Sequence, residues 1–491
     1  MQVKLLSEGQ IGKIHETSLS ILERIGVEVP HAELLARFAD IGARVDRATS
    51  RVRIPAEVVM GLVGHAGRRW TIYGRDPSLT ASFGQGRRNY NSIAGEAHWV
   101  DEPGGARRFC TLDDVATATR CADALSSITI PGAMADPHEV PIAWRVVAVA
   151  ARMIRNTTKP ITFWLHDRAS TRYLIDMMIA LRGGEQEATE KPLWYPFLEP
   201  ISPLRFPFDG VDLLFETARL NLPVPIGPMA QTGLSAPCSV AGTMAQENAE
   251  ILAGICITQL IREGMPVCYG GIPHAFDMGT TQLIFSGPEQ ALFGMGMTEM
   301  GKHYGLPVYI NVGLTDSKVP DAQAGLESGV TLALGAGAGA DIFGHMGISG
   351  VDQATSLDML VLQDEVISYV ESCLRELDFS EEALGLAELE AVGPGGTFID
   401  RMHTAQRFRS ELWFPRVLDR NYYGAWRGDG ARDMAQRCRE RKEQILRTHV
   451  PEPVSEALAR TLDEIVEAAR RDLGGNTGVE PAARESCLQR S

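Results

Sequence analysis

Residues Pro307 to Gly350 read PVYINVGLTDSKVPDAQAGLESGVTLALGAGAGADIFGHMGISG, and the order of elements in this stretch decides the fold. A short, partly β-branched run, Val308 to Val312, ends in the polar loop Thr315-Asp316-Ser317-Lys318. A segment of small residues with helical character follows, and a second short apolar run closes on Gly344-His345-Met346-Gly347. The pattern is strand, polar tip, helix and a further strand with polar groups at its end. In parallel α/β proteins chemistry is placed at the carboxyl ends of the strands.

The same rhythm runs upstream. Short apolar strands are expected at Asn89 to Ala94, Ile128 to Pro131, Ile161 to Leu165, Leu193 to Leu198, Val224 to Pro228, Val267 to Gly271, Val308 to Val312 and Asp341 to Gly344. Helical segments alternate with them, from Thr111 to Leu125 through Gln290 to Tyr304, and Ser356 to Leu374 would be the last. Thr111-Leu-Asp-Asp is a good N-cap, and Asn221-Leu-Pro223, Gly264-Met-Pro266 and Gly305-Leu-Pro307 repeat one stop signal before three strands. Eight strand–helix units predict the α/β class, a (β/α)8 TIM barrel over 88–375, with an open doubly wound sheet as the alternative. Residues 1–87 predict N-terminal accessory helices and a β-hairpin. Residues 376–473 predict a C-terminal loop and helical extension, and 474–491 a disordered tail.

Composition narrows the function classes. The chain of 491 residues carries a formal net charge of -15, which argues against nucleic acid or an anionic membrane as partner. The N-terminus lacks a signal peptide's apolar core, and no apolar run reaches membrane-spanning length, so a cytoplasmic protein is expected. Eight cysteines are scattered without C-x-x-C spacing, which predicts reduced thiols and no metal site of the Cys/His type.

Gly335-Ala-Gly-Ala-Gly-Ala340 has the letters of a dinucleotide loop but precedes a strand instead of following one, so close helix packing is the reading. The polar and aromatic residues expected at strand ends include Asn91, Trp164, His166, Tyr195, Glu199, Gln231, Thr232, Tyr269, His274, Asn311, Asp316, Lys318, Phe343 and His345. Aromatic side chains converging on one mouth would form a box for a quaternary ammonium, held by cation–π attraction. The competing reading makes them apolar barrel plugs, with Asp316 capping a turn.

With these residues in view, the sequence resembles the trimethylamine methyltransferase family of corrinoid-dependent enzymes. The resemblance runs through Tyr90, Val100-Asp101, Gly105 to Arg108, Thr111 to Val115, the Asp316-Ser-Lys318 loop with Pro320 to Gln323, and Gly393 to Gly396. It continues through His403-Thr404, Glu411-Leu-Trp413 with Pro415, and Asp419-Arg420 to Trp426. Trimethylamine enzymes carry pyrrolysine after that loop, whereas this chain has Asp321-Ala-Gln-Ala-Gly325, with Ala324 or a neighbour in the place. The branch resembled is the one without pyrrolysine, which includes glycine betaine methyltransferases.

The resemblance implies methyl transfer from a quaternary amine, glycine betaine or similar, to the Co(I) corrinoid (cobalamin) of a separate carrier protein. No D-x-H-x-x-G carrier motif stands in the chain, and none of its residues is expected to hold a cofactor itself. Expected catalytic residues are Asn311, Asp316 and His345, without any of them accepting the methyl group. Tyr90, Trp164, Tyr195, Gln231, Tyr269, Lys318 and Phe343 are expected to bind substrate. A homo-oligomer is expected. Competing readings are a Lys318-dependent lyase or aldolase and a non-catalytic betaine-binding protein.

Overall fold

A computed structural model describes residues 3–475. The first barrel strand, Asn89–Ser92, lies parallel to the last, Ile342–Met346. The last strand pairs with Val308–Asn311, and the parallel order continues through Val267–Gly271 to Val224–Ile226. The three segments around residues 130, 162 and 193–198 join by single contacts. Asn91 faces Ile130, Gly132 faces Thr162, Leu198 faces Ile226, and the Ile161 N–H donates to the Leu193 carbonyl at 3.1 Å. Among the described residues the eight segments thus close on themselves as a (β/α)8 barrel.

Segments two to four are less regular than the full strands expected there. Pro131, Pro160, Pro192 and Pro196 have no N–H to give, so a ladder cannot form along them. The barrel helices are Leu112–Ala124, Ile142–Asn156, Arg168–Arg182, Phe208–Thr217, Val240–Ile261, Pro288–His303, Ala322–Ala338 and Leu357–Leu374. Thr111 and Asp114 form a reciprocal capping box at the first of these. At Gly335 on the seventh, a Cβ would lie 2.8 Å from Ile310 Cδ1 and 2.9 Å from Val312 Cγ2. The small-residue run is therefore a close helix-on-strand contact.

The amino end of the barrel is plugged. The hairpin Trp70–Tyr73 and Thr80–Phe83 buries Trp70, Ile72 and Phe83 against Ile130, Tyr195, Cys268 and Ile342. Helix Glu8–Arg24 lies along Val240–Ile261, fixed by the Ser18 hydroxyl donating to the Ala245 carbonyl at 2.8 Å. At the other end of the chain, Met434–Thr448 packs on Leu357–Leu374, where Lys442 Nζ reaches the buried Asp358 at 2.9 Å. Glu456–Gly474 covers the second and third barrel helices. No helix among the described residues is long and apolar enough to cross a membrane. The tail expected from residue 474 lies, beyond Gly475, outside the described residues.

Candidate active site

Strand alternation decides which side chains enter the barrel. Tyr309 and Asn311, two apart on the seventh strand, both face inward. Tyr309 meets His345 Nε2 through its hydroxyl at 2.6 Å and the Phe197 ring edge-on at 5.3 Å between centroids. Trp164 lies 5.8 Å from the His345 ring and 6.2 Å from Phe197, and its indole N–H donates to the Gly95 carbonyl at 2.9 Å. Trp164 and Phe197 also wall a cleft of about 500 Å³, completed by His166, Glu199, Met229 and Gln231, that opens at the carboxyl ends of strands three to five. A short mini-sheet of Gln231–Thr232, His274–Asp277 and Gln282–Ile284 belongs to the same end.

Three of the expected substrate-binding residues point away from this mouth. Tyr90 directs its hydroxyl to Glu371 on the eighth helix, and Phe343 stacks on Tyr90 at 5.0 Å. Tyr269 donates to Asn248 on the fifth helix at 2.7 Å. All three belong to the layer between barrel and helices, one residue out of phase with the inward positions. Tyr195 does face inward, but at the plugged end, edge-on to Trp70 and Phe83. Its place at the mouth is taken by Phe197, two residues later.

The loop residues also differ from expectation. One Asp316 carboxylate oxygen accepts the Phe285 N–H at 2.9 Å, which ties two strand-end loops together; burial pushes this carboxyl up from its ordinary value. Lys318 is exposed and its ammonium donates to the Asp316 carbonyl at 2.8 Å, so the amine is not directed into the barrel. The segment Asp321 to Gly325 lies on the outer layer. Ala324 is buried in the core, while Asp321, Ala322 and Gly325 line an apolar groove of about 560 Å³ with Leu326, Tyr369 and Leu418.

The mouth is rich in carboxyl groups. Glu96, after the first strand, hydrogen-bonds Asp352 in the loop after the eighth, and Asp136 lies nearby, paired with Arg145 at 2.6 Å. Val351 and Asp352 both adopt positive φ, 62° and 52°, a strained pair that holds the second carboxyl against the first. Burial, and then the neighbouring Asp352, push the Glu96 carboxyl up to about 9, so the pair keeps a proton at neutral pH. Glu199 is open to the cleft yet enclosed by loops on its other sides. That enclosure and Asp352 move it up to about 7.

The histidines are held neutral. Burial, with His274 as a like-charged neighbour, lowers His345 to about 3, and burial lowers His274 to about 4. His274 Nδ1 donates to the Ile272 carbonyl at 2.8 Å, which leaves Nε2 as a bare acceptor. Glu247, fully buried on the fifth helix, accepts the Ala230 and Ile272 N–H groups at 3.1 and 3.0 Å and so fixes the ends of strands five and six. Among the described residues no group of three or more metal-ligating side chains is gathered.

Tyr309, Phe197, Glu96, Asp352, Met229 and Glu247 are missing from the sequence reading. Tyr309 and Phe197 had a signal: each is two residues from a named candidate, Asn311 and Tyr195, on the same strand face. Asp352 had none, because its position depends on the shape of a loop.

The sequence profile of the trimethylamine methyltransferase (MTTB) family matches residues 1–474. The chain belongs to this family. A trimethylamine methyltransferase of Desulfitobacterium hafniense (strain DSM 10664 / DCB-2) is 29% identical over 468 residues, covering 95% of this chain and 94% of its own. A glycine betaine methyltransferase of Desulfitobacterium hafniense (strain Y51) is 29% identical over 472 residues, covering 96% and 98%. The solved monomethylamine methyltransferase of Methanosarcina barkeri shares the fold with a TM-score of 0.50 at 10% identity, over 96% of this chain and 88% of that one. The protein is a methyltransferase of this family, built on a TIM barrel.

Proposed function

We propose that this methyltransferase takes a methyl group from a quaternary amine and passes it to the Co(I) corrinoid of a separate carrier protein. The observation that carries the reading is the aromatic wall of Trp164 and Phe197, with the buried Tyr309 ring edge-on behind Phe197, at a mouth whose free charges are carboxyl groups. Ring faces and carboxylates both favour a cation that water no longer solvates. The sequence holds no pyrrolysine at any of its 491 positions, which fits a quaternary substrate. The glycine betaine relative is named for a compound of that class.

In the reaction a C–N bond breaks and a methyl–cobalt bond forms. The electron pair of the broken bond leaves on nitrogen, and the product is a neutral tertiary amine that needs no proton. Reduced corrinoid would supply the nucleophile. The tasks left to this chain are to bind the cation, exclude water and hold the methyl group in line. In this reading Trp164 and Phe197 hold the ammonium. His345, fixed by Tyr309, and Asn311 line the inner end, where neutral side chains leave the cation's charge uncancelled.

The same reading places the protein in the cytoplasm, where its free buried and exposed cysteines would stay reduced. It also makes the chain self-associating. The helices within 381–428 bury no residue, and the segment 379–428 exposes Phe379, Ile399, Met402, Tyr422 and Tyr423, an apolar arm suited to a second copy.

The test mixes the protein with reduced corrinoid carrier and glycine betaine, carnitine, proline betaine or choline, and follows conversion of Co(I) to methyl-Co(III) spectrally. Conversion with at least one of them is expected. None with any of the four overturns the proposal.

A further inference from the structure

The interior of the barrel has a surplus of acceptors. Asn91, Asn311, Gln290 and His274 are each at least nine-tenths buried, and Asn91 Oδ1, Asn311 Oδ1, Gln290 Oε1 and His274 Nε2 have no hydrogen-bond partner. For three of them the partners fix which atom is free. The Asn91 amide donates to the Ser92 carbonyl, the Gln290 amide to the Asn311 carbonyl, and His274 Nδ1 to the Ile272 carbonyl. What remains on each is a lone pair. Such buried acceptors are costly unless a ligand brings positive charge or donors to them.

Asn91 Oδ1 shares its space with the Tyr309 hydroxyl, and His274 lies near enough to His345 to act on it electrostatically. A Cβ at Gly344 would lie 1.9 Å from the Tyr309 hydroxyl and 3.0 Å from Asn91 Oδ1, so the two face one point. Glu199 acts electrostatically on the same Tyr309 hydroxyl, and Asp352 links Glu199 to Glu96. The cations bordering these loops are already engaged. Arg145 is bonded to Asp136 and the Val140 carbonyl, Arg107 to Gln353 and the Ser349 and Gly350 carbonyls, and Lys318 to the Asp316 carbonyl.

An ammonium and a carboxylate therefore meet opposite receptions here. The ammonium finds rings, lone pairs and carboxyls; a carboxylate one carbon from the nitrogen would be carried into the same field of like charge and bare acceptors. The proton kept between Glu96 and Asp352 is engaged in their mutual hydrogen bond. We propose that the substrate is a quaternary ammonium cation with no carboxylate beside the nitrogen, of the choline or tetramethylammonium type, in preference to an amino-acid betaine. This rests on the quaternary-amine reading above and narrows it.

A second consequence makes it measurable. A cation at the mouth favours the ionised form of the Glu96–Asp352 pair, so binding expels the shared proton. The groups facing that pair are Asp136 with its partner Arg145, Glu199 and the Cys110 thiol, whose Sγ bonds the Glu96 carbonyl; His166 borders the cleft.

The experiment is isothermal titration of the full chain at pH 8 with choline, tetramethylammonium and glycine betaine, each in two buffers of different ionisation enthalpy. Choline and tetramethylammonium should bind at least ~10-fold more tightly than glycine betaine, with proton release. Glu199→Gln, a change at a cleft-facing side chain, should weaken choline by about 10-fold and glycine betaine by less than about 2-fold. Glycine betaine binding as tightly as choline, or proton uptake with choline, overturns this proposal and leaves quaternary-amine demethylation standing. Absence of binding with all three overturns this proposal; both readings fall only if carnitine and proline betaine also give no methyl transfer.

Discussion

Two cavities of similar size, built from separate parts of the chain, show how the fold divides its labour. The mouth cleft, about 500 Å³, is walled by Trp164, Phe197, Glu199 and His166. The outer groove, about 560 Å³, is walled by Leu326, Ala333, Val366, Tyr369 and Val370, with Asp321 and Glu365 as its few charges. The first lies at strand ends, where neutral histidines, proton-sharing carboxyls and bare acceptors gather. The second lies between the seventh and eighth helices and the C-terminal extension. Size therefore says little about function. What separates the two is the chemistry of the lining: the strand-end cleft carries Glu199, raised by enclosure and by Asp352, whereas the outer groove is almost wholly apolar.

The largest expected effect that would break this contrast is at the mouth wall. Trp164→Ala should lower kcat/KM for the quaternary amine by about 100-fold, since it removes a cation–π face and the indole bond to the Gly95 carbonyl together. Steady-state methylation of the carrier measures it, and an effect under about 3-fold would remove the cleft as the substrate site.

Next comes Tyr309→Phe, which leaves the ring against Phe197 but frees His345 Nε2. A loss of about 10-fold in kcat is expected from a loosened His345. Unchanged kcat with a lowered melting temperature would make Tyr309 structural only.

The carboxyl pair gives a pH signature. Glu96 has an ordinary value of 4.5 and is raised to about 9 in the folded protein, so folding stabilises its protonated form. Its contribution is full below about 4.5 and is lost as pH rises toward 9. Glu96→Gln should thus gain stability relative to the parent as pH goes from 5 to 9, by ~1–2 kcal/mol, measured as urea midpoints across that range. A constant difference across pH would mean that Glu96 ionises normally.

Two smaller effects test the outer layer. Tyr90→Phe should cost ~1 kcal/mol of stability through the lost bond to Glu371 and change kcat/KM by less than about 2-fold. A large loss of activity would restore Tyr90 to the substrate site. Gly325→Ala meets nothing within 4 Å and sits in the first turns of a helix, so it should stabilise by ~0.5 kcal/mol with activity unchanged. Any loss of turnover would tie the outer groove to catalysis.

The barrel was readable because its signals are local. Strand runs with helices between, three of them preceded by Gly-x-Pro or Asn-x-Pro stops, set the element order, while closure into a barrel rests on the pairing of the first and last strands. The candidate site was only half readable, for a reason visible at single positions. A strand of a parallel barrel is apolar on both faces, so nothing in VYIN or IFGHM marks which residue faces in. Tyr90, Tyr269 and Phe343 looked no different from Tyr309 and Phe197 until packing set the phase.

Sequence alone determined the α/β alternation, the acidic character, the family to which the residues point and the strand ends as the place for chemistry. Trp164, Asn311 and His345 could be named as candidates because they follow those signals. Only tertiary structure decided the inward phase of each strand, the aromatic plug at the floor and the placing of Asp321 to Gly325 on the outside. It also brought Glu96 and Asp352 into contact across more than 250 residues of chain. Periodicity is written in neighbours, whereas a shared proton or an orphaned lone pair exists only once distant segments have closed around the same space.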